Sequence, residues 1–173
     1  MTIEWLNLTG RVAIVTGGGA NGGNGHAIAL ELAKAGADVF VTDRDGPGAE
    51  ATAREIEALG RRAVPFACDN GIPDQILASY VAFDRAFSKL DILVNNVAAG
   101  IRKRPENITL DEWQGVMRVI LDGTFLFTRE AGIRMIRQGK GGSIVNISSI
   151  AGSSALGRGN FVYSTAKGGI NQF

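Results

Sequence analysis

The segment TGGGANGGNGHAIA (residues 16–29) packs six glycines into the nine positions from Gly17 to Gly25. They lie between the apolar run RVAIVT (11–16) and HAIALELAKAG (26–36), whose apolar residues recur at helical spacing. Glycine is the costliest residue to order, so such a cluster between two regular elements needs a reason. A strand–turn–helix junction supplies one. The first turn of a helix offers unpaired N–H groups and the positive end of the helix dipole, and bare backbone lets a phosphate reach them. DVFVTD (38–43) reads as the next strand and ends in Asp43. A carboxylate there accepts hydrogen bonds from ribose hydroxyls and repels a 2′-phosphate. Strand, glycines, helix and acid in this order predict a dinucleotide site that favours NAD over NADP. Arg44, next in the chain, is the residue that would suit NADP. The competing explanation is a slack loop with Asp43 as a solvated strand end.

Further along, strand and helix patterns alternate. GAEATAREIEALG (48–60) reads as a helix closed by glycine, and RAVPFA (62–67) as a strand. Pro65 has no N–H for a ladder, which places that strand at or near an edge. Residues 73–88 look helical, and DILVNN (91–96) is a fourth strand. Thr109 and Glu112 form the pattern of a capping box opening a long helix to about Gln138. GSIVNIS (142–148) is a fifth strand, and YSTAKGGINQF (163–173) begins a last helix. Alternation of this kind predicts a doubly wound, Rossmann-like α/β fold: a parallel sheet covered on both faces, in a single dinucleotide-binding domain over residues 1–173.

Composition narrows the function classes. Of 173 residues, 45% are hydrophobic and 20% charged, which excludes a disordered chain. A net charge of +1 gives no field to draw in nucleic acid. No apolar run reaches membrane-spanning length. Cys68 is the single cysteine and His26 the single histidine, so no metal cluster or Cys/His dyad is expected. The N-terminus lacks the apolar core of a signal peptide, and the expected location is cytoplasmic. IRKRP (101–105) is a short basic run read as a solvated loop that could border a substrate.

Tyr163 and Lys167 stand four residues apart, on one face of a helix. A tyrosine titrates near pH 10 by itself, and a neighbouring ammonium favours its phenolate. Such a phenol can move the proton on or off an alcohol oxygen when hydride is exchanged with a nicotinamide. Ser149, at the end of the fifth strand, can hydrogen-bond the same oxygen; Ser148 is the adjacent candidate.

Taken together, TGGGANGGNG (16–25), CDN (68–70), NNVAAG (95–100), SIVNISSIAG (143–152) and YSTAK (163–167) resemble the short-chain dehydrogenase/reductase family over nearly the whole chain. The resemblance implies hydride transfer between a nicotinamide cofactor and an alcohol or carbonyl substrate. It implies Tyr163 as acid/base, Lys167 as its tuner and a ribose ligand, and Ser149 as substrate positioner. It also implies a cofactor turn at Gly17, Gly23, Asn24 and Gly25, adenine contacts at Asp69 and Asn70, and Asn95 lining the cofactor channel. Ordinary turn chemistry is the alternative for Asp69 and Asn70. The expected sheet order is 3-2-1-4-5, without the family's last two strands. Homo-oligomers through the last two long helices are expected.

Departures from the family pattern are specific. The glycine turn is two residues longer, so either Gly17 or Gly19 is its first glycine, and Asn24 replaces an apolar residue. Val97 and Ala98 stand where a smaller Ala-Gly pair is usual, or residues are inserted before Gly100. In VILDGTF (119–125), Ile120 occupies the place of an asparagine that holds a water in the family's proton relay. The sequence ends six residues after Lys167, which leaves the fifth strand as an exposed apolar edge and predicts poor stability or rescue by association. A nucleotide-binding remnant without turnover is therefore the rival expectation, and an interaction module built on that edge a third.

Overall fold

The computed structural model describes residues 7–19, 22–154, 157 and 159–173. Chain order is β1 (Val12–Thr16), α1 (Asn24–Lys34), β2 (Asp38–Asp43), α2 (Gly46–Ala58), β3 (Ala63–Ala67), α3 (Pro73–Ala86) and β4 (Ile92–Asn95). There follow α4 (Leu110–Met117), a π-helical turn (Arg118–Asp122), α5 (Gly123–Arg137), β5 (Ser143–Asn146) and α6 (Phe161–Ile170). The five strands form one parallel sheet in the order β3-β2-β1-β4-β5. The sheet order and strand–helix alternation are those the sequence predicts. Pro65 lies in β3, an edge strand, opposite Val41.

Strand side chains alternate between two cores because successive residues point to opposite faces. Val12 and Ile14 of β1, Phe40 of β2 and Leu93 of β4 meet Tyr80, Phe83, Phe127 and Met135 from α3 and α5. Their neighbours Val15, Val39, Val41 and Val94 face Ala29, Ala33, Ala49, Ala53 and Ile56 from α1 and α2. Alanines on α1 and α2 let those helices lie close to the sheet, while aromatic rings fill the other side. Phe83 packs edge-on to Phe40 at 5.6 Å between ring centroids. Tyr80 donates its hydroxyl to Phe127 O at 2.6 Å, and burial pushes that phenol's pKa upward. Arg134 covers the Tyr80 ring at 4.4 Å while its guanidinium grips Asp84 through two hydrogen bonds.

The helix expected from 109 to 138 is two helices joined by a wider turn. Its start is as read: Thr109 caps α4, accepting from Glu112 N, while the Glu112 carboxylate accepts from Thr109 N. At the join, the Gly123 N–H reaches back to Arg118 O, five residues away. The turn sends Ile120 into a third, smaller core with Val116, Val162, Ala166 and Ile170. That core and the segment following β5, where Ile147 O accepts from Lys167 Nζ, seat α6. At the opposite edge from β3, β5 leaves Ile144 and Val145 36% and 46% exposed. No described helix is long and apolar enough to cross a membrane.

Phe83→Ala should cost about 3–5 kcal/mol, because it empties a buried ring site. Val145→Ala on the exposed face of β5 should stay within about 0.5 kcal/mol of the parent. Urea unfolding of both variants checks the contrast.

Candidate active site

The end of β1 turns sharply. Gly17 and Gly18 donate to Thr42 O at 2.7 and 3.1 Å, which ties the turn to β2. Gly17 sits at φ +68°, where a side chain is strained. A Cβ on Gly25 would fall 2.0 Å from Gly17 O, so the N-terminus of α1 presses directly on the turn. The Asn96 amide donates to Thr16 O and Gly17 O at 3.1 and 3.2 Å, and Asn96 N donates to Thr16 Oγ1 at 3.0 Å. Three strand ends thus hold one bare corner.

A cleft of about 410 Å³ opens at this corner. Gly17, Gly23, Asn24 and Gly25 form one part of its lining. The ends of β2 and β3 contribute Asp43, Arg44, Asp69 and Asn70. Asn96 to Ala99 and Val119 complete it. Seven of the residues singled out in the sequence are therefore together. Gly19 is not in the described lining; its N–H instead donates to Asp43 Oδ2 at 2.9 Å, and Asp45 N donates to Asp43 Oδ1 at 2.9 Å. The two backbone donors orient a carboxylate whose oxygens keep further lone pairs. Asp69 Oδ1 accepts from Gly71 N at 2.7 Å, a local turn contact. Asn70 Oδ1 is buried without a hydrogen-bond partner. Cys68 also lines the cleft; burial first, then Asp69, pushes its thiol pKa to about 12, so it stays protonated and unreactive.

Asn95 does not reach the cleft. It is 5% exposed, and its amide donates to Thr128 Oγ1 at 3.1 Å and Asn146 Oδ1 at 2.8 Å, which bridges β4 to α5 and β5. Asn96 is the neighbour that faces the turn. The alternation of a strand carried this signal: of two consecutive asparagines only one can point each way.

A second cavity, about 330 Å³, is lined by Ala98 to Arg102, Asn160 and Tyr163. It shares Ala98 and Ala99 with the first. Tyr163 and Lys167 lie on α6, with the Lys167 Nζ 5.9 Å from the Tyr163 ring centroid. Lys167 is 3% exposed, and burial lowers its pKa below the ordinary lysine value. Its Nζ donates to Ile147 O at 2.6 Å. Ser148 is committed to α6: its single O–H has Lys167 O at 3.1 Å and Asn171 Oδ1 at 2.5 Å as competing acceptors. Ser149 accepts from Ala151 N at 3.1 Å and keeps its own O–H for another acceptor. Ile120 is fully buried and brings no polar group to the α4–α6 seam. His26 pairs with Glu55 at 3.1 Å across α1 and α2, apart from both cavities. Among the described residues no group of three His, Cys, Asp or Glu side chains could hold a metal ion.

The glycine corner, the buried acceptor on Asn70 and the oriented Asp43 fit a phosphate-, amine- and hydroxyl-bearing dinucleotide. A family model described as short chain dehydrogenase matches residues 11–173. The chain belongs to the short-chain dehydrogenase/reductase family. It is 36% identical over 165 residues to a D-threitol dehydrogenase of Mycolicibacterium smegmatis, covering 95% of this chain and 62% of that relative. The chain thus spans under two thirds of that relative's length. A 7α-hydroxysteroid dehydrogenase structure, complexed with NADH and 7-oxo glycochenodeoxycholic acid, superimposes with a TM-score of 0.90 at 30% identity, covering 96% of this chain and 64% of that one. A metagenomic short-chain oxidoreductase in complex with NADP gives 0.88 at 37% identity, covering 95% and 73%. Members of this oxidoreductase family use nicotinamide cofactors and act on small molecules.

Burial sets the direction of a pH effect. The folded Lys167 pKa lies below the ordinary 10.5, so between the two values the unfolded chain holds more protons and stability rises with pH. Raising pH towards 10.5 should stabilise the native chain relative to Lys167→Met, which lacks the titrating group. Paired thermal melts measure this.

Proposed function

We propose that the chain is an NAD(P)-dependent oxidoreductase that interconverts an alcohol and a carbonyl at Tyr163. The carrying observation is that the glycine-lined cleft and the cavity lined by Tyr163 have Ala98 and Ala99 as common walls. Gly17, Gly23, Asn24 and Gly25 would hold the pyrophosphate, Asp43 a ribose, and Asp69 and Asn70 the adenine. Lys167 and Tyr163 would meet the second ribose. Asp43 favours NAD, and Arg44 beside it keeps NADP within reach as the weaker choice. The nicotinamide, when bound, supplies the hydride donor or acceptor. In oxidation the Tyr163 phenolate takes the proton from the alcohol oxygen; in reduction the phenol returns it. The Lys167 ammonium stabilises the phenolate, and the Ser149 O–H fixes the reacting oxygen. The reading extends to a cytoplasmic homo-oligomer built on α5 and α6, where Phe125 and Phe161 are 49% and 47% exposed.

A second reading has a specific observation behind it. Ile120 puts a hydrocarbon where the resembling family holds a relay water, so a nucleotide-binding remnant without turnover also fits. NADH fluorescence titration followed by an alcohol and ketone panel separates the two. Turnover that falls about 10²–10⁴-fold in Tyr163→Phe, with far less change in NADH affinity, supports the enzyme. NADH binding with no turnover supports the remnant, and absence of NADH binding overturns both.

A further inference from the structure

We infer that Arg102 makes the Tyr163 cavity selective for substrates carrying an anionic group, a carboxylate or a phosphate monoester. This rests on Tyr163 being the reacting centre and adds the class of molecule it serves.

The loop after β4 is held on both sides of Arg102. Ile101 packs against the small core under α4 and α6. Lys103 is fixed twice: its N–H donates to Gly159 O at 3.2 Å, and its ammonium is paired with Glu112. Gly159, at φ +75°, admits this approach, since a Cβ there would lie 3.0 Å from Lys103 N and 3.2 Å from Arg102 C. Arg102 therefore sits between two anchored neighbours, against the segment that leads into Tyr163.

Charge completes the case. Arg102 lines the 330 Å³ cavity with Tyr163 and Asn160, and no carboxylate is among the described lining residues. Among the described residues Arg102 forms no ion pair, whereas Lys103 beside it does. Asn160 also borders a larger cavity of about 690 Å³, where Arg104 is the only charged residue of the described lining. Two arginines thus line neighbouring cavities that share Asn160, with no acid among the described lining residues of either. A guanidinium presents a planar fork of donors that matches carboxylate and phosphate oxygens, and pairing with an anion strengthens its hydrogen bonds. A neutral polyol would leave that fork to water.

The test uses the full chain saturated with NADH and two matched pairs of alcohols, which form dead-end complexes because both partners are reduced. One pair is 3-hydroxybutyrate and 3-hydroxybutyramide; the other is glycerol 3-phosphate and glycerol. The change in bound-NADH fluorescence gives each Kd. The anion of at least one pair should bind about ten-fold or more tighter than its neutral partner. The pair that shows the preference identifies carboxylate or phosphate as the source. Arg102→Gln should abolish the preference without changing NADH affinity, and Arg102→Lys should retain part of it. Equal binding within both pairs, a preference that survives Arg102→Gln, or no binding of any of the four overturns the inference. Its failure is distinct from failure of the parent reading, which shows as loss of NADH binding or as turnover unaffected by Tyr163→Phe.

Discussion

The contact on which the rest depends is the approach of the α1 N-terminus to the turn after β1. No side chain fits at Gly25, because Gly17 O already occupies the space. That closeness brings the positive end of a helix to the mouth of the sheet, where backbone donors cluster. Everything polar around it serves the same geometry. Thr42 O holds Gly17 and Gly18, Asn96 holds the carbonyls of Thr16 and Gly17, and Gly19 turns Asp43 towards the cleft. A larger residue at Gly25 would not merely crowd a ligand. It would separate the helix from the sheet and undo the corner itself.

The α/β order was legible because each strand is a short apolar run and each helix carries a stop or start residue. Pro65 marked an edge, and the Thr109–Glu112 reciprocal cap marked a helix start, both through chemistry confined to a few neighbouring residues. The glycine corner was legible for a similar reason, since backbone demands are written directly into residue type. Seven expected site residues converge on one cleft because they all sit at the carboxyl ends of β1, β2 and β3 or at the α1 N-terminus.

What escaped the sequence depends on contacts between distant segments. The π-helical turn at 118–122 follows from fitting Ile120 under α6 and Val119 beside the cleft, two demands set by elements far away in the chain. That Asn95 points to Thr128 and Asn146, while Asn96 lines the cleft, depends on strand phase at the end of β4, where a single step reverses the face. The resemblance favours Ser149 over its neighbour Ser148, but only the docking of α6 shows that Ser148 is occupied by Lys167 O and Asn171. The basic loop at 101–105 reads in sequence as a solvated loop that could border a substrate; its placement comes from the distant Gly159, whose carbonyl accepts from Lys103 N.

The helix bearing Tyr163 and Lys167 packs on a small core with α4, whereas the strands and helix that form the glycine corner belong to the two large cores around the sheet. Hydrogen bonds from Ser148 and Lys167 tie the same helix to the segment after β5. Tyr163 and Lys167 consequently take their placement from a different part of the hydrophobic interior than the glycine turn does.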